Sequence, residues 1–474
     1  MMRSNKCLAR KILCALLAAG VVGVSGSALA GDTITTSKHL DGDVFIKTDS
    51  NWAAVVQSTG SDTIKITGDS FKLGLETSAS CADAIDCYDT AGKIILGDTN
   101  TNDISISCKA TDQAFGIWAL KKSYVEVNAK QLSIEAYGND ARAIQVQNNS
   151  VPNDKKTDFA TVILNANTVI KSDGIGIAAM SEGRFTANGD IEITAPQVIV
   201  TRGDAKININ SDGNHRVVLN GDIGFDYDAA TSGTPVNADV NIKLTGAESQ
   251  WNGNAKVNWA GEEDANGNYK GLPTASDLTV DSFTLTLADN AQWNPKFVTV
   301  EGEYNEDGSG KSLSGTQYTN LNNVILENGI INLTDAKDQV KIDNIKGSGT
   351  IAIGADDNAL GITKQNDADL TVAATQPYAE QIASNDMSGA VKDLAAKVKD
   401  ETNDGKTAAS SVYIPETTVA GAVTAYIDKD GNAANVKEAV NTTNAAVSDV
   451  ASISLMTWRQ ENNDMNKRLG ELRD

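Results

Sequence analysis

The chain has the hydrophobic pattern of many short β-strands. From Asp41 onward, apolar residues alternate with polar ones over a few positions at a time, and Gly, Asp, Ser, Thr or Asn bounds each run. These bounding residues favour turns because they accept unusual backbone angles or cap the chain locally. The clearest early strands are predicted at residues 44–46, 54–56, 63–66, 93–96 and 104–106.

A unit of three strands repeats between residues 114 and 195, with a period of about 30 residues. One such unit cannot bury its inward side chains alone and does so by stacking on the next. The pattern therefore predicts an all-β fold, a parallel β-helix or solenoid, from about Gly31 to Val372. At about 25 residues per coil and about 4.8 Å between coils, it would have about 13 coils and measure about 60 Å.

A second pattern places a tryptophan after a short apolar strand and a turn. Residues 242–245 precede Trp251, and residues 285–287 precede Trp293 in the same way. We expect both rings to close the ends of coils rather than to stack on sugars.

The period changes after about residue 375. Residues 390–399 are rich in Ala and Lys and predict a short helix, whereas 412–414 and 423–427 are weaker strand candidates. From Asn435 to Asp474, apolar residues recur at three- and four-residue spacings, which predicts an amphipathic helix. Its apolar positions include Val436, Val440, Val447, Val450, Met465, Leu469 and Leu472.

Residues 1–30 have the pattern of a secretory signal. Four basic residues precede the apolar run 12–24, and Ala28-Leu29-Ala30 gives a small-x-small cleavage site. The run is too short to indicate a membrane span. We therefore expect export and cleavage before Gly31. Loss of the four basic residues changes the formal net charge from -22 to -26, which disfavours nucleic acid and anionic membranes as partners.

The expected export determines the predicted state of the cysteines. Cys7 and Cys14 leave with the signal, and Cys81 and Cys87 are close enough in sequence to form a small-loop disulfide in an oxidising compartment. Cys108 follows Ile104 and Ile106 at a period of two, which predicts an inert buried thiol. The chain has only two histidines, outside any ligand-spaced cluster, so no metal or other cofactor is predicted.

Catalytic chemistry is weakly indicated. Gly68-Asp69-Ser70-Phe71 resembles a serine-nucleophile motif but lacks its final Gly, and His39 is its only upstream base candidate. A carbohydrate-active enzyme would need acidic and basic residues on adjoining coils, for which the candidates are Asp190, Asp204, Asp222, Arg184 and Arg202. The three aspartates follow glycines, and we expect that they rebuild one recurrent turn, so a non-enzymatic protein is favoured.

An adhesion tripeptide of the integrin-binding type is present at Arg202-Gly203-Asp204. This tripeptide also fits the expected recurrent turn, because we expect Gly189-Asp190 and Gly221-Asp222 to occupy equivalent corners of the repeat.

The repeated coils, the two Trp patterns, and the blocks Asn328-Gly329 and 347–350 resemble the passenger of an autotransporter (type V secretion) of the pertactin-like kind. The resemblance covers Gly31 to Asp474 and implies a right-handed β-helix. Its most specific part is the end of the chain, which is similar to the linker helix that threads the pore of the translocator barrel. The matching residues of this helix are Trp458, Arg459, Asn462, Asn463, Asp464, Lys467 and Arg468.

These expectations divide the chain into a signal peptide (1–30), a β-helix passenger (31–375), a linker region (376–434) and an α-helical linker (435–474). No barrel follows Asp474, although about 250 further residues would be needed for one. The implied partners are the Sec export machinery, an outer-membrane translocator barrel encoded elsewhere or lost, and a host surface receptor or glycan.

We expect a secreted or surface-presented, non-enzymatic adhesin or interaction stalk. It would reach the cell surface, the outer membrane or the medium if a barrel is supplied, and remain periplasmic otherwise. The alternatives are a carbohydrate-active β-helix enzyme and a non-functional truncated passenger.

Overall fold

The computed structural model describes most of the chain between Leu29 and Glu438. The described residues are 29–30, 32–88, 91–148, 159–228, 238–260, 262–263, 269–270, 280, 282–296, 314–337, 339–383, 386–402, 406–418, 420–428 and 431–438.

The described residues are nearly all β, as the sequence predicts. The first strands are β1 (Leu29–Ala30), β2 (Lys38–His39), β3 (Val44–Thr48), β4 (Ala53–Ser58), β5 (Thr63–Thr67), β6 (Ser70–Thr77), β7 (Cys81–Cys87), β8 (Lys93–Gly97), β9 (Asp103–Lys109), β10 (Gln113–Leu120), β11 (Tyr124–Tyr137), β12 (Arg142–Gln147), β13 (Thr161–Ser172), β14 (Ile175–Met180), β15 (Arg184–Ala187) and β16 (Ile191–Arg202).

The strands continue to the end of the described region, with two short helices between them. They are β17 (Lys206–Ile209), β18 (Val217–Asp228), β19 (Asp239–Thr245), β20 (Gln250–Asn252), β21 (Ala255–Ala260), β22 (Glu262–Glu263), β23 (Tyr269–Lys270), β24 (Phe283–Ala288), β25 (Gln292–Asn294), β26 (Ser314–Tyr318), β27 (Leu321–Asn332), β28 (Gln339–Ile353), β29 (Ala359–Ala374), α1 (Gln376–Ile382), α2 (Met387–Ala395), β30 (Val398–Asp400), β31 (Ser411–Ile414), β32 (Val423–Ile427) and β33 (Ala433–Glu438).

Most strands pair in parallel with the strand one repeat further along the chain, which confirms the predicted parallel arrangement. The exceptions among the described strands are the antiparallel pairs β21–β26, β22–β23, β31–β32 and β32–β33. One ladder runs β4–β7–β10–β12–β14–β16–β18–β21, and a second runs β5–β8–β11–β13–β15–β17–β19–β24. A third begins β3–β6–β9–β11. The longer strands, such as β11 and β16, turn a corner and take part in two ladders.

The core follows from this register, because equivalent positions of successive repeats stack in one column. One such column is fully apolar and buried, and it consists of Val125, Val162, Phe185, Ile207, Val240 and Phe283. A single cluster of buried apolar residues extends from Ile34 to Ala425.

Polar side chains also stack at one corner. The Nδ2 atoms of Asn252, Asn294 and Asn332 each donate to the Oδ1 of the preceding asparagine, at 2.7, 2.8 and 3.0 Å, and the ladder begins at Asn220. Each amide in the middle of this ladder is both donor and acceptor, so the ladder links its neighbours on both sides.

Trp251 and Trp293 are core residues, so the prediction that they do not present a sugar platform is confirmed. They are 0% and 2% exposed, and their rings stack at 5.4 Å. Their Nε1 atoms donate to the carbonyls of Gly221 and Gly253, both at 3.0 Å.

The C-terminal part departs from the prediction. A short helix is present as α2, a few residues earlier than expected, and β31 and β32 are strands as predicted. Asn435 does not begin a helix: it lies in β33, which pairs antiparallel with β32, and Val436 is in the same strand. The later apolar positions of the predicted helix lie outside the described residues. The proposed pore-helix residues Trp458, Arg459, Asn462, Asn463, Asp464, Lys467 and Arg468 lie outside the described residues.

The predicted signal also lies outside the described residues, except for Leu29 and Ala30. These two form β1 and pair with Val44 and Phe45. Neither described helix has the length and apolar composition that crossing a membrane requires.

Candidate binding groove

A bend in the first ladder marks the candidate site. In β10, Gly116 and Ile117 lie consecutively on the buried side. Two inward residues in succession bend the strand, and the outward rings of Phe115 and Trp118 on either side stack at 5.0 Å. Only glycine fits at position 116, because an added Cβ would lie 2.5 Å from the carbonyl oxygen of Ala143.

Two rows of residues on neighbouring strands continue from this bend, and most of them are buried or half-buried. We call the face between these two rows the groove. In β12, Arg142 Nη1 donates to Gln145 Oε1 at 2.5 Å across the same corner. One wall of the groove contains Asp83, Phe115, Arg142, Ile175, Gln197 and Asp222 in register. The other wall contains Gln57, Asp86, Trp118, Gln145, Ala178 and Val200.

The groove changes character along its length. Its middle is apolar, where Ile175, Ala178, Met180 and Val200 form a cluster separate from the main core. Towards β21 it is polar, with Asn258 donating to both Asp226 Oδ1 at 2.9 Å and Gln197 Oε1 at 3.1 Å. Its N-terminal end combines aromatic rings with two acids, and we call this end the aromatic–carboxyl patch, consisting of Trp52, Asp83, Asp86, Tyr88, Phe115 and Trp118.

Two tryptophans cover the acids of the patch. Trp52 precedes β4 and Trp118 lies on β10, yet their rings stack at 5.4 Å. Strand β7 runs between them, and strands two apart are separated by about 9.6 Å, so the rings must lean towards each other over β7. Asp83 and Asp86 of β7 are accordingly only 1% and 5% exposed.

The two carboxyl groups are incompletely paired. Gln57 Nε2 donates to Asp86 Oδ2 at 2.8 Å. The Oδ1 atoms of both acids, and Trp118 Nε1, are buried without a hydrogen-bond partner in the described part of the chain. Burial, and then the neighbouring Asp86, raise the pKa of Asp83 to about 8. Burial also raises the pKa of Asp86, against the hydrogen bond from Gln57.

The predicted disulfide is wrong. Cys81 and Cys87 occupy opposite ends of β7 and both are free thiols. Six residues of extended strand separate their Cα atoms by about 20 Å, whereas a disulfide requires less than about 7 Å. Cys108 is buried as predicted, its Sγ donates to the carbonyl of Ala82 at 3.3 Å, and burial raises its pKa to about 12.

The tripeptide Arg202-Gly203-Asp204 begins at the groove. Arg202 ends β16 and is half-buried, and its charge opposes the rise that burial causes in the pKa of Asp226. Gly203 has a φ of 66°, and Asp204 is exposed. The two charges of the tripeptide are therefore unequally accessible.

The expectation of one recurrent Gly-Asp turn is wrong. Gly189 lies before β16, Gly203 follows β16, and Gly221 lies inside β18. The structure also does not bring the proposed carbohydrate-active residues together. Asp190 Oδ1 accepts from the backbone of Arg216 at 2.9 Å, whereas Asp222 pairs with Lys256 at 3.4 Å.

The serine motif is not assembled as a catalytic pair. Ser70 Oγ donates a hydrogen bond to Asp103 Oδ2 at 3.2 Å, and His39 Nδ1 is hydrogen-bonded with Thr67 Oγ1 at 3.0 Å. Within the described ranges, His, Cys, Asp and Glu side chains form no group of three that would hold a metal ion.

Sequence reasoning missed the aromatic–carboxyl patch. One available signal was Asp83 and Asp86 within an otherwise apolar strand, because unpaired acids are rarely buried. No protein-family model matches this chain, and neither a curated protein nor a solved structure matches it significantly.

Proposed function

We propose that the chain is an exported, non-enzymatic passenger of the autotransporter type, which presents a binding surface on a right-handed parallel β-helix. The observation that carries this proposal is the parallel pairing of most strands between β3 and β29 with their equivalents in the next repeat, although β21 pairs antiparallel with β26. Stacked repeats expose a long surface whose side chains do not have to form the core, and such surfaces suit extended partners.

The stacked columns support a solenoid over other parallel folds. Apolar columns, the asparagine ladder and the stacked Trp251 and Trp293 all require equivalent corners to lie one above another. The acidic composition, with a formal net charge of -22, suits a soluble surface protein.

Export and display are tested by fusing the chain to a translocator barrel in a bacterium with two membranes. We expect protease added to intact cells to remove the passenger, and N-terminal sequencing of the exported chain to begin at Gly31. The matched control is the same fusion without residues 1–30, which should stay protected inside the cell. Protection of both fusions would contradict the proposal.

A carbohydrate-active enzyme is the second candidate, and one observation favours it. Asp83, whose pKa is raised to about 8, lies on the same strand as Asp86, and two such carboxyls resemble the acid and base of a glycosidase. The tryptophans that cover both acids favour binding instead. Release of reducing ends from a neutral glycan would establish the enzyme.

A further inference from the structure

Three buried polar atoms in the aromatic–carboxyl patch lack partners among the described residues. They are Oδ1 of Asp83, Oδ1 of Asp86 and Nε1 of Trp118, and Asp86 is directly opposite Trp118 in the ladder. The large majority of buried side-chain polar atoms in proteins are hydrogen-bonded. A ligand that completes this patch must offer donors to the carboxyl oxygens and an acceptor to the indole N–H. A hydroxyl group provides both.

The rings of the patch offer a stacking surface at the solvent. Trp52 and Tyr88 are 48% and 47% exposed, and both contact the ring of Trp118. Trp52 holds this position with a φ of 58°, a left-handed conformation that is unfavourable for a bulky residue. An amphipathic ring with a polar edge and an apolar face packs on such a surface.

The carboxyl groups of the patch disfavour an anionic ligand. Arg142 lies over Phe115, but Asp140 already neutralises it at 2.8 Å. Lys121 lies over the ring of Tyr88 at 4.8 Å. Any ionised fraction of Asp83 or Asp86 would repel an anion.

We propose that the aromatic–carboxyl patch binds a neutral carbohydrate. A sugar ring stacks on Trp52, which moves away from Trp118, and sugar hydroxyls donate to Asp83 and Asp86 and accept from Trp118 Nε1. This proposal assigns a ligand class to the binding surface of the proposed function, and it rests on that function.

The test is titration of the full chain with neutral cello-, malto-, manno- and xylo-oligosaccharides, with oligogalacturonate as the acidic arm, followed by calorimetry and tryptophan fluorescence. We expect at least one neutral series to bind and oligogalacturonate to bind more weakly. Trp52→Ala should weaken binding about tenfold or more, by the stacking contribution of one aromatic ring. Asp86→Asn, which replaces an acceptor oxygen by a donor, should weaken it as well.

The matched control is Tyr426→Ala, which removes a 54% exposed ring outside the patch and should leave binding unchanged. Circular dichroism melts of each variant separate loss of binding from loss of folding. The proposal is overturned if no neutral series binds, if oligogalacturonate binds best, or if folded Trp52→Ala and Tyr426→Ala bind equally. A displayed passenger that binds no sugar would remove this inference and leave the proposed function standing.

Discussion

Asp83 shows how one residue can couple the stability of the fold to pH. Its carboxyl group is buried between Ala54 on β4 and Phe115 on β10, and its pKa rises from 3.8 to about 8 on folding. The folded state therefore holds a proton that the unfolded state has lost. Stability is fully present below the unfolded pKa and falls as the pH rises through the window from about 4 to about 8.

Asp83→Asn should remove this pH dependence, because an amide does not ionise. We expect the variant to melt like the parent at pH 4 and at a higher temperature at pH 8. The parent should lose at most about 1.4 kcal/mol per pH unit through this group. Thermal melts from pH 4 to pH 9 measure the difference. The exposed Asp204→Asn is the control, and equal pH slopes for the parent and Asp83→Asn would refute the assignment.

The sequence predicts residue properties that depend on neighbours along the chain, and it does not predict those that depend on contacts between strands. The alternation of Ile104, Ile106 and Cys108 marks inward positions, and all three are buried. The closeness of Cys81 and Cys87 in sequence gave a wrong prediction of a disulfide, because the extended strand β7 holds the two residues apart at its ends. The meeting of Trp52 with Trp118 depends on the register of three strands, which the sequence does not reveal one strand at a time.

At the scale of elements, the asparagine ladder connects four repeats through side chains alone. Asn252 is in its middle, where it donates to Asn220 at 2.7 Å and accepts from Asn294 at 2.8 Å. Asn252→Ala would leave a partly buried donor and a partly buried acceptor without partners. We expect a loss of about 1–3 kcal/mol in the free energy of unfolding.

Urea unfolding of Asn252→Ala measures this loss. Asn139→Ala is the matched control, since Asn139 is exposed, and it should change the free energy by less than about 0.5 kcal/mol. A loss equal to the control would show that the ladder adds nothing to stability.

Element types were more predictable than element partners. The strand at Thr161 follows from alternation, and the strands at Phe115 and Ile175 follow from short apolar runs in a repeated unit. The helix predicted from Asn435 is wrong for residues 435–438, which pair with β32, a contact that the spacing of the valines does not encode; the remainder of that helix lies outside the described residues. The bend at the groove depends on two consecutive inward residues, Gly116 and Ile117. In the sequence, such a pair only interrupts the alternation and does not indicate a bend.

At the scale of the whole molecule, a fold of stacked repeats should survive the removal of one complete repeat. Ile177 pairs with Ile199, and Phe185 pairs with Ile207, so the repeat here is 22 residues. Deletion of residues 178–199 joins Ile177 to Val200. The β17 segment would then take the place of β15 against β13, and the first part of β18 would take the place of the first part of β16.

The exchanged inward residues are compatible with this deletion. Ile207 and Ile209 would replace Phe185 and Ala187, and Val217 and Leu219 would replace Ile191 and Ile193. We expect a cooperative melt and a β-type circular dichroism spectrum for the 22-residue deletion. Deletion of residues 178–188 is the control, because half a repeat places the following strands out of register, and it should abolish the cooperative melt. If both deletions unfold the protein, or if both are tolerated, the chain is not built from stacked, exchangeable repeats, and the β-helix on which the proposed function stands would have to be abandoned.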